Sequence, residues 1–165
     1  MARTVSTFSP EKIIIKSVAG ILLLLSSLSL SGQTHPDFSG VWVQDNDKSD
    51  FYKGFNVTCA ISQTSQSINV KTTISDKDNT ESVIRESTFT LDGKETTDSE
   101  GAKKSAKWSP DNKILTTSDT KDYGGDLVGV TAFYSLSVNG LVLTVKSSDI
   151  NPMAKSITQV FNKNK

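Results

Sequence analysis

Arg85 carries the sharpest chemistry in this chain: apart from Arg3 it is the only arginine. It falls in phase with Val83, Ser87, Phe89 and Leu91, so a regular strand turns it to the apolar face with them. A guanidinium on that face must be paired or stacked, because an unpaired buried charge is costly. Three arrangements meet or evade that demand. The fork binds a ligand carboxylate bidentately, it stacks on Trp42 or Trp108, or a bulge sends it to solvent beside Glu81 or Glu86.

Carboxylates are plentiful but poorly spaced for metal or acid–base chemistry. Asp45-Asn46-Asp47-Lys48-Ser49-Asp50 invites a calcium reading. Counted from Asp45, the sixth position is Asp50 where an EF-hand needs Gly, and the twelfth is Asn56 where it needs Glu. The stretch therefore reads as a solvated loop leaving the first strand, with a looser calcium site as the alternative. Asp119, Asp122 and Asp126 around Gly124-Gly125 pose the same choice. A Ser-His-Asp triad would have to use His35, the only histidine, which stands before the first strand where chain ends are often mobile. No G-x-S-x-G elbow, P-loop, dinucleotide fingerprint or C-x-x-C occurs. A carboxylate pair for glycoside hydrolysis is available by number alone, which is no argument for it. The expectation is a non-enzymatic protein without catalytic residues, metal or cofactor.

Charge and composition narrow the partners. Eighteen Lys+Arg balance eighteen Asp+Glu, so the basic footprint of a nucleic-acid binder is absent. Lys103, Lys104 and Lys107 beside Trp108 read as a solvated strand face. One cysteine excludes an intrachain disulfide framework. Cys59 alternates with Val57 and Ile61, which makes it a small buried hydrophobe.

The first 32 residues read as a secretory signal. Arg3, Lys12 and Lys16 form a basic leader, Val18 to Leu30 is an uncharged Leu-rich run, and Ser29 and Ser31 are small residues placed for cleavage near Ser31 or Gly32. The run is short for a membrane span and broken by serines, so no stable span is expected after cleavage. A lipid anchor would need a cysteine at the cleavage site, and Cys59 is far downstream. Removal of residues 1–32 takes Arg3, Lys12, Lys16 and Glu11, leaving 15 basic against 17 acidic residues. The expected location is outside the cytoplasm, periplasmic or secreted.

Residues 33–165 read as a single domain of short strands. Alternation places strands at Val41–Val43, Asn56–Thr64, Ser67–Ser75, Glu81–Leu91, Ala102–Ser109, Lys113–Ser118, Asp126–Ser137, Leu141–Lys146 and Ser156–Phe161. Asp92-Gly93 and Asn139-Gly140 are hairpin signals tolerant of type I′ geometry, and Ser109-Pro110-Asp111-Asn112 fits a type I turn. Three hairpins look alike: Thr88–Thr96, Ala106–Ser118 and Tyr134–Lys146. Together the 42 Ser and Thr suit the solvent faces of strands. The predicted fold is all-β, an antiparallel up-and-down meander of about eight to ten strands closing into a barrel. A two-sheet β-sandwich has the same signature and stays open as the alternative.

The text Pro36-Asp37-Phe38-Ser39-Gly40-Val41-Trp42, followed by Asp47-Lys48-Ser49-Asp50-Phe51, resembles a group of uncharacterised exported bacterial proteins described as lipocalin-like. Gly40-x-Trp42 is similar to the opening motif of lipocalins. The Leu91–Lys94 turn, the segment Trp108 to Asn112 and Val160-Phe161-Asn162-Lys163 resemble the same group, which extends the likeness over most of residues 33–165. The resemblance implies an up-and-down barrel with a pocket at its mouth and no known reaction. The chain departs from lipocalins in its short length, its lack of a cysteine pair and the absence of a helical pattern after the last strands. The expected activity is binding of a small apolar or amphipathic molecule in the barrel, by Trp42, Arg85, Phe89, Trp108, Tyr134 and Leu136. For Trp42 the alternative is a purely structural core role. The rival function is an envelope module that acts through an exposed apolar patch or an open strand edge.

Overall fold

The computed structural model describes residues 35–78, 81–151 and 153–164. Residues 1–32, read above as a secretory signal, lie outside the described residues. Among them there is no helix, and hence none long and apolar enough to cross a membrane.

The strands are β1 (Gly40–Gln44), β2 (Asn56–Gln63), β3 (Ser67–Ser75), β4 (Ser82–Thr90), β5 (Thr96–Thr97), β6 (Lys103–Trp108), β7 (Ile114–Tyr123), β8 (Asp126–Leu136), β9 (Val142–Asp149) and β10 (Ile157–Lys163). All pair antiparallel in a single sheet of order β4-β3-β2-β1-β10-β9-β8-β7-β6-β5. The chain runs up and down through hairpins, and β10 returns to pair with β1. This is the expected meander barrel and not a two-sheet sandwich. Its ring is nearly closed. β4 and β6 lie side by side without a ladder between them, and Ser87 Oγ on β4 donates to Asp119 Oδ2 on β7 across that seam at 3.0 Å.

Two elements differ from the sequence reading. β5 is two threonines with no apolar residue to betray it. β7 continues past Ser118 to Tyr123, through text so polar that alternation does not report it.

Three turns share one chemistry. A Ser or Thr hydroxyl donates to an Asp or Asn two residues on: Thr90 to Asp92 at 3.1 Å, Ser109 to Asp111 at 2.6 Å and Ser137 to Asn139 at 2.6 Å. The same Oδ1 accepts the backbone N–H of Lys94, Lys113 or Leu141. The residue after it takes the left-handed conformation, with φ of 77° at Gly93, 57° at Asn112 and 68° at Gly140. Asp92 and Asn139 do not join them at positive φ, so these are not type I′ turns. Their side chains are used as turn acceptors instead.

One end of the barrel is packed solid. Phe38, Trp42, Ile68, Leu115 and Leu143 are fully buried there. The strap Pro36–Ser39 is tied to β2: Gln63 Oε1 accepts from Phe38 N at 3.1 Å and Gln63 Nε2 donates to Pro36 O at 3.0 Å. The Trp42 indole N–H then donates to Phe38 O at 2.9 Å. The glycine of Gly40-x-Trp42 has a physical reason. Its φ is 140°, and a Cβ would stand 3.0 Å from Lys163 Cε.

Candidate functional site

The other end of the barrel is hollow. A cavity of about 520 Å³ opens there. Its apolar floor and walls include Val70, Phe89, Tyr134, Val145 and Phe161, and its upper rim carries Thr72, Arg85, Ser87, Asp119, Ser147 and Gln159. Register explains the division. Inward positions two residues apart stack along each strand, so Phe89, Ser87 and Arg85 climb from the floor to the mouth.

The cross-strand pairs place Arg85 opposite Thr72 in an unbroken β3–β4 ladder, so no bulge diverts it. It faces the cavity, as the phase with Val83, Ser87 and Phe89 requires, and it remains solvent-exposed at the mouth. It stacks on neither tryptophan; the cation over the Trp42 ring is Lys163 Nζ, at 5.2 Å from the ring centroid. Among the described residues Arg85 makes no hydrogen bond or ion pair.

Asp119 is the other charged group lining the cavity, and it is engaged. It accepts from Ser87 and lies 3.9 Å from Lys104 Nζ, which also bonds Asp98 Oδ2 at 2.9 Å. The hydrogen bond from Lys104 is the main cause that holds the Asp98 carboxyl below its usual range. Lys104 thus points inward with its side chain mostly buried, while Lys103 and Lys107 point to solvent. The three lysines do not form one solvated face, because alternation divides them between the two sides of β6.

Deeper in, Cys59 and Tyr134 meet on the floor. Burial pushes the Cys59 thiol up from 9.0 to about 11, against a smaller opposing effect of the Thr72 hydrogen bond. Cys59 is thus the neutral, buried small side chain that its phase predicted. Burial, reinforced by Cys59, also raises the Tyr134 phenol, while a hydrogen bond with Thr117 opposes the rise. Neither group is poised to ionise near neutral pH.

The sequence missed the cover of this cavity. The loop from Asp45 to Phe55 is largely solvated, as its acidic text suggests, but it is anchored at Ser49, which is only 1% exposed. Ser49 Oγ accepts from Val160 N at 3.0 Å, and Asp50 N donates to Thr158 O at 2.8 Å. Gln44 Nε2 holds Phe51 O at 3.1 Å, and Gln159 Nε2 holds Gln44 Oε1 at 2.8 Å. Pinned in this way, the loop brings Phe51 and Tyr52 to the cavity, their rings 4.0 Å apart. The run Phe51-Tyr52-x-x-Phe55 was the available signal: three aromatics in five residues are unusual in a solvated loop. Tyr52 sits at φ 56°, a backbone that bulky residues seldom adopt and that persists when surrounding contacts hold it.

Of the six expected ligand residues, Arg85, Phe89 and Tyr134 line this cavity together. Trp42, Trp108 and Leu136 face inward too, but they belong to the packed opposite end. Trp108 stacks between Phe38, centroids 5.8 Å apart, and His35, centroids 4.3 Å apart, so His35 is tied down and not at a loose chain end. A smaller depression of about 380 Å³ lies outside that plug, bordered by His35, Gln63, Leu91 and Trp108.

Among the described residues no three His, Cys, Asp or Glu side chains converge as metal ligands. Two of the acidic side chains hold local structure: Asp45 pairs with Lys48 at 2.7 Å, and Asp122 accepts from Gly125 N at 2.6 Å in the β7–β8 turn. No family model matches this chain, and no curated protein matches it in sequence.

Proposed function

We propose that this protein is an exported, lipocalin-like barrel that carries a small apolar or amphipathic molecule and performs no reaction of its own. The cavity of about 520 Å³ supports this reading above all else. Ligand pockets run to roughly 300–1,000 Å³ and combine apolar walls with a few polar anchors. This one has an aliphatic and aromatic floor, a short polar rim and an aromatic loop across its mouth. Export rests on the basic leader and the uncharged run Val18 to Leu30. The periplasm or the medium is the proposed location.

A neutral fluorescent probe, N-phenyl-1-naphthylamine, tests the proposal. It should brighten in the wild-type barrel and saturate with one site. Ala132 is buried and lines the cavity between Thr117 on β7 and Ser147 on β9. Ala132→Trp fills the space and should abolish the signal while the far-UV circular dichroism stays β-type. Failure of the wild type to bind, or binding unchanged in Ala132→Trp, refutes the carrier reading.

The surface-acting alternative keeps one specific support. β4 is an open edge whose Val83 and Ile84 are 55% and 56% exposed on its two faces. Such an edge can accept a strand from another chain.

A further inference from the structure

Within the carrier reading, on which this inference rests, the charges at the mouth specify the ligand's polar end. Two charged side chains line the cavity, Arg85 and Asp119. Asp119 is satisfied by Ser87 and Lys104, and Lys104 is shared with Asp98. Among the described residues Arg85 has no counter-charge, although Asp119 lies on the neighbouring wall of the same cavity. Its guanidinium is a donor fork that cannot accept and stays charged at every physiological pH. Its acceptors are therefore left to solvent or to a ligand that brings a negative group.

Position adds the second constraint. Arg85 stands at the mouth side of β4, with Ser87 and then Phe89 below it on the same face. Beneath them the cavity is apolar down to Tyr134, Val145 and Phe161. A molecule filling this space is therefore apolar along its length and anionic at its outer end. Arg85 is a single positive charge without an ion-pair partner among the described residues, which matches one negative charge on the head.

We infer that the barrel takes a monoanionic amphiphile, an aliphatic chain ending in a carboxylate, with the chain on the floor and the carboxylate held by Arg85. The other donors at that rim are the Thr72 and Ser147 hydroxyls and the Gln159 amide, which complete a polar collar without adding charge.

The experiment uses competition against the neutral probe. Dodecanoate and dodecan-1-ol share a chain and differ in the head group. Each displaces N-phenyl-1-naphthylamine from wild-type protein and from Arg85→Gln. Arg85 is exposed and bonds to nothing in the fold, so the variant should keep the wild-type thermal midpoint. Dodecanoate should weaken about tenfold in Arg85→Gln, equivalent to about 1.4 kcal/mol, while dodecan-1-ol changes less than about twofold. If both compounds displace the probe and Arg85→Gln alters neither, the carboxylate assignment falls and the apolar carrier stands. Equal weakening of both also overturns it, because Arg85 then shapes the cavity and does not read the head group. If neither compound displaces the probe from wild-type protein, the carrier reading itself fails along with the inference.

Discussion

Replacing Trp42 separates a structural role from a ligand role for the largest residue of the first strand. Trp42 is fully buried, and its indole N–H donates to Phe38 O at 2.9 Å. Truncation of a buried aromatic to alanine costs about 3–5 kcal/mol through lost transfer energy and the cavity left behind. The Phe38 carbonyl also loses its indole donor, and a buried group left unpaired adds about 1–3 kcal/mol. Against a total stability of roughly 5–15 kcal/mol, Trp42→Ala should remove a third or more and bring the protein close to unfolding. Trp42→Phe keeps most of the ring packing and should cost about 2 kcal/mol, chiefly for the lost hydrogen bond. Urea unfolding followed by far-UV circular dichroism measures both, with no reliance on tryptophan emission. Probe binding completes the test. Trp42 does not line the open cavity, so Trp42→Phe should bind N-phenyl-1-naphthylamine within about twofold of wild type. A cost below about 1 kcal/mol for Trp42→Ala would contradict the packed plug. A tenfold loss of probe affinity in a stable Trp42→Phe would return Trp42 to the ligand site.

Two further predictions concern the cavity walls. Gly129 on β8 faces β7 so closely that a Cβ would stand 2.5 Å from Asp119 O and 2.6 Å from Thr120 Cγ2. Gly129→Ala should cost about 1–3 kcal/mol in urea unfolding by forcing the β7–β8 ladder apart, and a neutral result would refute that close approach. Cys59 has a folded pKa raised from 9.0 to about 11, so the folded state holds its proton more tightly than the unfolded chain. Its contribution is fully present below pH 9 and is lost as pH rises through about 11. The two-unit gap makes that loss on the order of 2–3 kcal/mol. Cys59→Ala should flatten the decline of unfolding free energy between pH 9 and pH 10, below the range where Tyr134 contributes. Parallel profiles for variant and wild type would show that the thiol is not the source.

The fold was largely legible because a barrel of hairpins writes itself locally. Alternation marks each strand whose inner face is apolar, and turn residues mark where it reverses. Thr96–Thr97 escaped because two polar residues carry no period. The outer half of β7 escaped because its text from Asp119 to Asp122 is polar and carries no apolar period. The anchoring of the loop from Asp45 to Phe55 escaped for a related reason. Its acidic text is mostly solvated, and the bonds that anchor it run from Ser49 and Asp50 to β10, more than a hundred residues away in sequence.

The sequence by itself determined which side chains alternate together along each strand. Period two put Arg85 in phase with Phe89 and left open a bulge that would divert it; the unbroken β3–β4 ladder keeps it on the inner surface. What it could not determine is height along the barrel, because a period of two is the same at the floor and at the mouth. Only the registers between strands set that height, pairing Trp108 with Leu115 in the plug and Arg85 with Thr72 at the rim. Register depends on partners that are distant in the chain, and on a sheet that nearly closes on itself. The tertiary structure therefore decided which of six inward residues pack the solid end and which line the open one.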